Sequence, residues 1–174
     1  MKSDQVDLRA KRDKIARGNT GQFYVAGELC RRGYYAVVTL GNTPNTDILC
    51  SDRSGQRFVH VQVKTFVPGS KTCSIGKKAE NSSGDNFFWV LAGIPEPASD
   101  KKFTYYIVPS NIIAEKAKEI HARWLKEPGR NGTVHNPNDV RTLHIPPFKC
   151  KYAGDWTLDE YFERWDLIAE KLDK

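Results

Sequence analysis

Asp47, Gln62 and Lys64 are the residues of this 174-residue chain whose types and spacing can do chemistry together. Fourteen residues separate Asp47 from Gln62, and Gln62-Val63-Lys64 lies inside the apolar run from Arg57 to Phe66. Strand alternation puts Phe58, His60, Gln62, Lys64 and Phe66 on one face, and Val59, Val61, Val63 and Thr65 on the other. Asp47 opens a second, shorter run to Cys50 just after Thr43-Pro44-Asn45, so a hairpin brings its carboxylate beside Gln62 and Lys64. Glu28 stands upstream, near the middle of a helix. Each residue alone has a plainer account: an edge lysine, a turn aspartate, a cross-strand glutamine, a solvated glutamate. Together they differ, because polar groups set among Val and Phe must pair with one another or with a metal. The convergence favours a functional site over a structural polar cluster.

The elements that position these residues follow from periodicity. Asn19 or Thr20 can cap a helix reaching Gly33, with Phe23, Ala26 and Cys30 at helical spacing and Val25 and Leu29 beside them. Tyr35 to Leu40 reads as a strand, Asp47 to Cys50 as a short one, and Arg57 to Phe66 as the strongest. Residues 67–86 are a polar connection with at most one helical turn. Two buried strands follow, Phe87 to Ile94 and Phe103 to Val108. Ser110 can cap a helix to about Lys126, stopped by Pro128-Gly129. Residues 127–156 have little periodicity. Thr157-Leu158-Asp159-Glu160 is a capping box for a last helix with the apolar stripe Leu158, Tyr161, Phe162, Trp165, Ala169 and Leu172. The order predicts an α/β domain: one central mixed sheet flanked by helices. Residues 1–17 form a basic N-terminal arm, suited to lie along a polyanion or to be a solvated terminal helix, and 18–174 form the domain.

Composition narrows the function classes. The chain is 39% hydrophobic and 28% charged, enough apolar content for a real core and against disorder throughout. No apolar run approaches the ~18–20 residues that span a bilayer, and the first residues lack the apolar segment of a secretory signal, so a cytoplasmic protein with no membrane partner is expected. The four cysteines, Cys30, Cys50, Cys73 and Cys150, contain no CxxC pair, which fits reduced thiols and no zinc site. A net charge of +6 permits a nucleic-acid partner.

Glu28, Asp47 and Gln62-Val63-Lys64 resemble the motif of the PD-(D/E)XK nuclease superfamily, most closely its Mrr-type variant in which Gln precedes x-Lys. The resemblance covers about Gly18 to Phe66 well and matches only the order of elements beyond. It implies a restriction-endonuclease-like fold and a metal-dependent endonuclease hydrolysing DNA phosphodiester bonds, in restriction or repair. Magnesium is the implied ion, with manganese as substitute, because hard oxygen ligands suit both. On this likeness Asp47 is the central ligand, Gln62 offers its amide oxygen, Val63 its backbone carbonyl, Lys64 orients or helps deprotonate the attacking water, and Glu28 binds a second ion or a metal-bound water. The family's helix between its third and fourth strands is short or absent in 67–86.

Duplex DNA is the expected partner, and cutting both strands with one site per chain favours a homodimer. Lys71, Lys77 and Lys78, just after the Gln62-Lys64 strand, and Arg130 in the long loop are candidate phosphate contacts. His60 shares the face of Gln62 and Lys64 and can touch substrate or simply pack. Trp89, Trp124, Trp156 and Trp165 are read as core. The competing function is a catalytically inactive nucleic-acid-binding module of the same fold, because Gln62 is neutral where an acid would hold metal.

Overall fold

The computed structural model describes residues 14–40 and 43–174. A first helix, α1 (Lys14–Arg31), precedes three strands, β1 (Tyr35–Val38), β2 (Ile48–Ser51) and β3 (Phe58–Phe66). Then come β4 (Thr72–Ser74), a 3-10 turn at Lys77–Glu80, β5 (Phe87–Gly93), β6 (Thr104–Pro109) and α2 (Ser110–Lys126). A 3-10 turn at Arg130–Gly132, β7 (Thr142–His144), another at Leu158–Tyr161 and α3 (Asp166–Leu172) complete the chain. Five strands form one mixed sheet in the order β1-β2-β3-β5-β6. Only β3 and β5 run parallel. The fold is thus the expected one, a central mixed sheet flanked by helices.

Each face of the sheet has its own core. Val59, Val61 and Val63 of β3 join Phe88, Val90 and Ala92 of β5 under Val25 and Leu29 of α1 and Ile168 of α3. Phe87, Trp89 and Leu91 point the other way, toward Ile113, Ala117 and Ile120 of α2. β5 is therefore buried at every position, as a strand covered on both faces must be. Full burial of a Val or Leu side chain contributes about 1.5–3 kcal/mol, so α1 is held chiefly by Val25 and Leu29, both fully buried. Gly21 sets how closely α1 approaches: a Cβ there would collide with Thr65 Cγ2 and press on Val63 Cγ1 at 3.3 Å. The β2–β3 turn is locked by Asp52, whose carboxylate accepts from Ser54 Oγ at 2.6 Å, Gln56 N at 3.0 Å and Arg57 N at 3.2 Å. The Ser54 hydroxyl first, then those backbone N–H groups and Arg57, hold that carboxyl below its usual range.

Four features differ from the sequence reading, the last three for a tertiary reason. Lys14–Arg17, expected in the basic arm, form the first turn of α1, and the rest of that arm lies outside the described residues. The connection 67–86 and the loop 127–156 each contain a three-residue strand, β4 and β7, which pair with each other from Thr72↔His144 to Ser74↔Thr142. The Ser110 hydroxyl does not cap α2. It accepts from Ser83 N at 2.9 Å, and Pro109 takes the cap position. The last helix is broken, because Glu163 turns aside with φ 53° to dock on β6. There its N–H donates to Tyr105 O at 2.8 Å, and its carboxylate accepts from Tyr105 N at 3.1 Å and from Trp165 Nε1 at 2.8 Å. Of the tryptophans, Trp89 and Trp165 are buried, whereas Trp124 and Trp156 are half-buried. No helix among the described residues is long and apolar enough to cross a membrane.

Candidate active site

Ile48 pairs with Val61, so the antiparallel register carries Asp47 to the position beside Gln62. The backbone agrees: Asp47 N donates to Val61 O at 2.9 Å, and Thr39 N donates to Asp47 O at 2.9 Å. At this point β2 leaves β3. Val63 N–H would lack a strand partner, and the Asp47 carboxylate supplies one, accepting it on Oδ2 at 2.7 Å. The same oxygen accepts from Gln62 Nε2. Asp47 is thus fixed by the end of the ladder itself and not by a flexible loop.

Gln62 Nε2 also lies 3.5 Å from Val63 O, on the same amide edge that meets Asp47. One point is therefore within reach of the carboxylate and the carbonyl, and the amide N–H fills it. Turning the amide over presents Gln62 Oε1 at that point instead, since the two ends have nearly the same shape. The donor set is then three oxygens carrying one formal charge, which suits a hard divalent cation retaining several waters. Lys64, half-buried and one strand repeat further along, holds its ammonium 5.9 Å from the centre of the Trp89 ring. Among the described residues no three His, Cys, Asp or Glu side chains cluster as metal ligands, so the anionic attraction at this point comes from Asp47.

Burial pushes the Asp47 carboxyl above its ordinary value, opposed by the Val63 N–H, the Lys64 charge and a hydrogen bond from the Gln22 side chain. Gln22 is a residue the sequence reading passed over. It belongs to α1, next to Gly21, where the helix comes closest to β3. Glu28, expected in this place, is turned elsewhere. Its carboxylate accepts from Arg31 Nε and Nη2, both at 2.8 Å, and pairs with Arg32 Nη2 at 2.8 Å. The Arg31 hydrogen bond is the main reason its carboxyl sits below the usual range. Residues 22 and 28 are about 9 Å apart along a helix and about 120° apart around it, so both cannot face Asp47. The signal for Gln22 was its place in the buried arc with Gly21, Val25 and Leu29, where a polar side chain needs a partner.

The basic candidates are spread more widely. Lys71, just before β4, lies 5.7 Å over the ring of Phe148. Lys77 pairs with Asp139 at 3.1 Å, and Lys78 is exposed. Arg130 opens the 3-10 turn Arg130–Gly132.

No protein-family model and no curated protein matches this sequence. Among solved structures, the chain is similar to a bacterial homing endonuclease, I-Ssp6803I, with a TM-score of 0.53 and 17% identity over 91% of this chain and 94% of that one. A looser likeness, with a TM-score of 0.42 and 13% identity over 73% of this chain and 83% of the other, is to Hjc, a Holliday junction resolvase from Archaeoglobus fulgidus. The likeness to I-Ssp6803I is one of fold, the restriction-endonuclease-like α/β arrangement that the sequence motif implied.

Proposed function

We propose that this chain is a metal-dependent endonuclease that hydrolyses phosphodiester bonds of duplex DNA, with Asp47, Gln62, Val63 and Lys64 as its reactive centre. The observation that carries the reading is the convergence of the Asp47 carboxylate, the Val63 carbonyl and the Gln62 amide on one point, with Lys64 one strand repeat along β3 on the face of Gln62. Magnesium, or manganese in its place, would be held by Asp47, Val63 O and Gln62 Oε1. When bound, it supplies charge neutralisation at the phosphoryl oxygens and a more acidic water. Lys64 orients the attacking water and offsets the negative charge that develops on the phosphoryl group. Gln22, in the place first given to Glu28, steadies the Asp47 carboxylate. The Gln-x-Lys spacing supports the Mrr-type variant. Lys71, Lys77, Lys78 and Arg130 are read as phosphate contacts, a homodimer as the cutting unit, and the cytoplasm, in keeping with four free thiols, as the place of work.

One observation favours a second reading, a binding module that has lost cleavage: the centre has a single carboxylate, with neutral Gln22 and Gln62 around it. Plasmid cleavage and calorimetric magnesium titration on four proteins separate the two. Wild type should cut only with a divalent ion, Asp47→Ala should lose both metal and cleavage, and Lys64→Ala should lose cleavage while keeping metal. Gln62→Glu should bind magnesium more tightly in the absence of DNA. Cleavage by wild type without any divalent ion, or undiminished cleavage by Asp47→Ala, overturns the nuclease mechanism. A wild type that neither cuts nor binds metal, beside a Gln62→Glu variant that binds it, establishes the binding module.

A further inference from the structure

His60 lies one strand repeat before Gln62, about 6.6 Å away along β3 and on the same face. Its ring is held on two sides. One is Phe87, its register partner on β5, which lies parallel to it within 5° at a centroid distance of 6.2 Å. The other is Thr46, whose Oγ1 sits 3.2 Å from Nδ1. Thr46 is itself buried and immediately precedes Asp47, and its carbonyl accepts from Thr39 Oγ1 at 2.6 Å. In the tautomer in which Nδ1 accepts from the Thr46 hydroxyl, the ring's own proton stands on Nε2. That nitrogen has no protein partner among the described residues and is not among the buried unpaired atoms, so it opens to solvent beside the reactive centre. His135 Nε2 and His144 Nδ1, by contrast, are enclosed.

We propose that His60 is a substrate-contacting residue whose Nε2–H donates to a backbone phosphate oxygen of the nucleic acid lying across Asp47 and Gln62. The assignment rests on the nuclease reading and deepens it. An imidazole clamped by Thr46 and Phe87 loses little freedom on binding, so its contact sets where the backbone lies. Through Nε2–H it makes one directed hydrogen bond, in contrast to a lysine, which acts as a point charge.

That difference gives the test. Binding of a fluorescent duplex is measured by anisotropy, without divalent ions, across a range of salt concentrations. His60→Ala should weaken binding about five- to tenfold at every salt concentration, leaving the slope of log K against log salt unchanged. His60→Gln, whose amide can reach the same oxygen, should recover most of the loss, and Thr46→Val should lose part of it. In cleavage the loss should appear in KM. Wild-type affinity in His60→Ala overturns the proposal. So does an equal loss in His60→Gln accompanied by a fallen melting temperature, which marks the ring as packing only. A wild type that binds no duplex overturns the nuclease reading as well, and is thereby distinguished from failure of His60 alone.

Discussion

At Asp47 the proposed metal-binding role and stability pull in opposite directions. Its carboxyl is pushed above the ordinary value chiefly by burial, so the folded protein favours the neutral form and carries a penalty when the group ionises. A raised carboxyl contributes stability that is complete below the ordinary carboxylate range and is lost as pH rises through the folded value. Asp47→Asn removes the charge and still accepts the Val63 N–H, while the Gln62 amide can turn to meet the new side chain. The variant should therefore melt a few degrees higher than wild type at neutral pH, the change that about 1 kcal/mol produces in a chain of this size. The gain should fade as pH falls through the folded value toward ~3.9, where wild type is neutral too. Cleavage should be lost. Melting curves of the two proteins between pH 3 and pH 8, recorded by circular dichroism, check the sign: equal gains at all pH values would mean that charge is not the cause.

At the scale of elements, the approach of α1 to β3 and the docking of Glu163 on β6 do separate jobs. Alanine normally favours a helix over glycine by about 1 kcal/mol, but at Gly21 its Cβ meets Thr65 Cγ2. Gly21→Ala should cost about 1–3 kcal/mol, draw Gln22 away from Asp47 and lower cleavage. Thr65→Ala in the same chain should restore both. Glu163→Ala strips an acceptor from Tyr105 N and Trp165 Nε1, at the other edge of the sheet, and should cost about 2 kcal/mol in urea melts without altering kcat of the folded enzyme. These elements also mark how far the sequence was legible. The period-2 pattern of β3 and the acid after Pro44 were enough for the register that joins Asp47 to Gln62, because alternation and a short hairpin are local signals. β4 and β7 escaped because three residues hold no period and their partners lie some seventy residues apart. The break at Glu163 escaped because its cause is Tyr105. Glu28 drew attention by its charge, whereas neutral Gln22, on the arc that packs toward β3, has the contact with Asp47.

For the whole molecule, the coverage of the sheet decides how a polyanion can approach. α1 and α3 lie over one face, and α2 packs on β5 and β6 of the other. On that second face the β1–β3 side is left more open: Tyr35 is 62% exposed, Val37 65% and Phe58 43%. Gln62 and Lys64 lie on this side, so under the proposed function a duplex would meet them across the open half of the sheet, beside the segment that carries Lys71, Lys77 and Lys78. The net charge of +6 sets the scale of the attraction, but the salt dependence counts only the cations that meet phosphates. Lys78 is exposed, and the Lys77–Asp139 pair is a surface pair, worth at most about 1 kcal/mol, which phosphate can replace. Each lysine that touches the backbone should lower the slope of log K against log salt by about 0.9 when changed to alanine. Lys71→Ala, Lys78→Ala and the double variant should therefore give steps of about one, one and two, measured on the same duplex with unchanged melting temperatures. Unchanged affinity and unchanged slope would place these lysines off the path of the DNA, and the polyanion would then have to cross the sheet from the β1 edge.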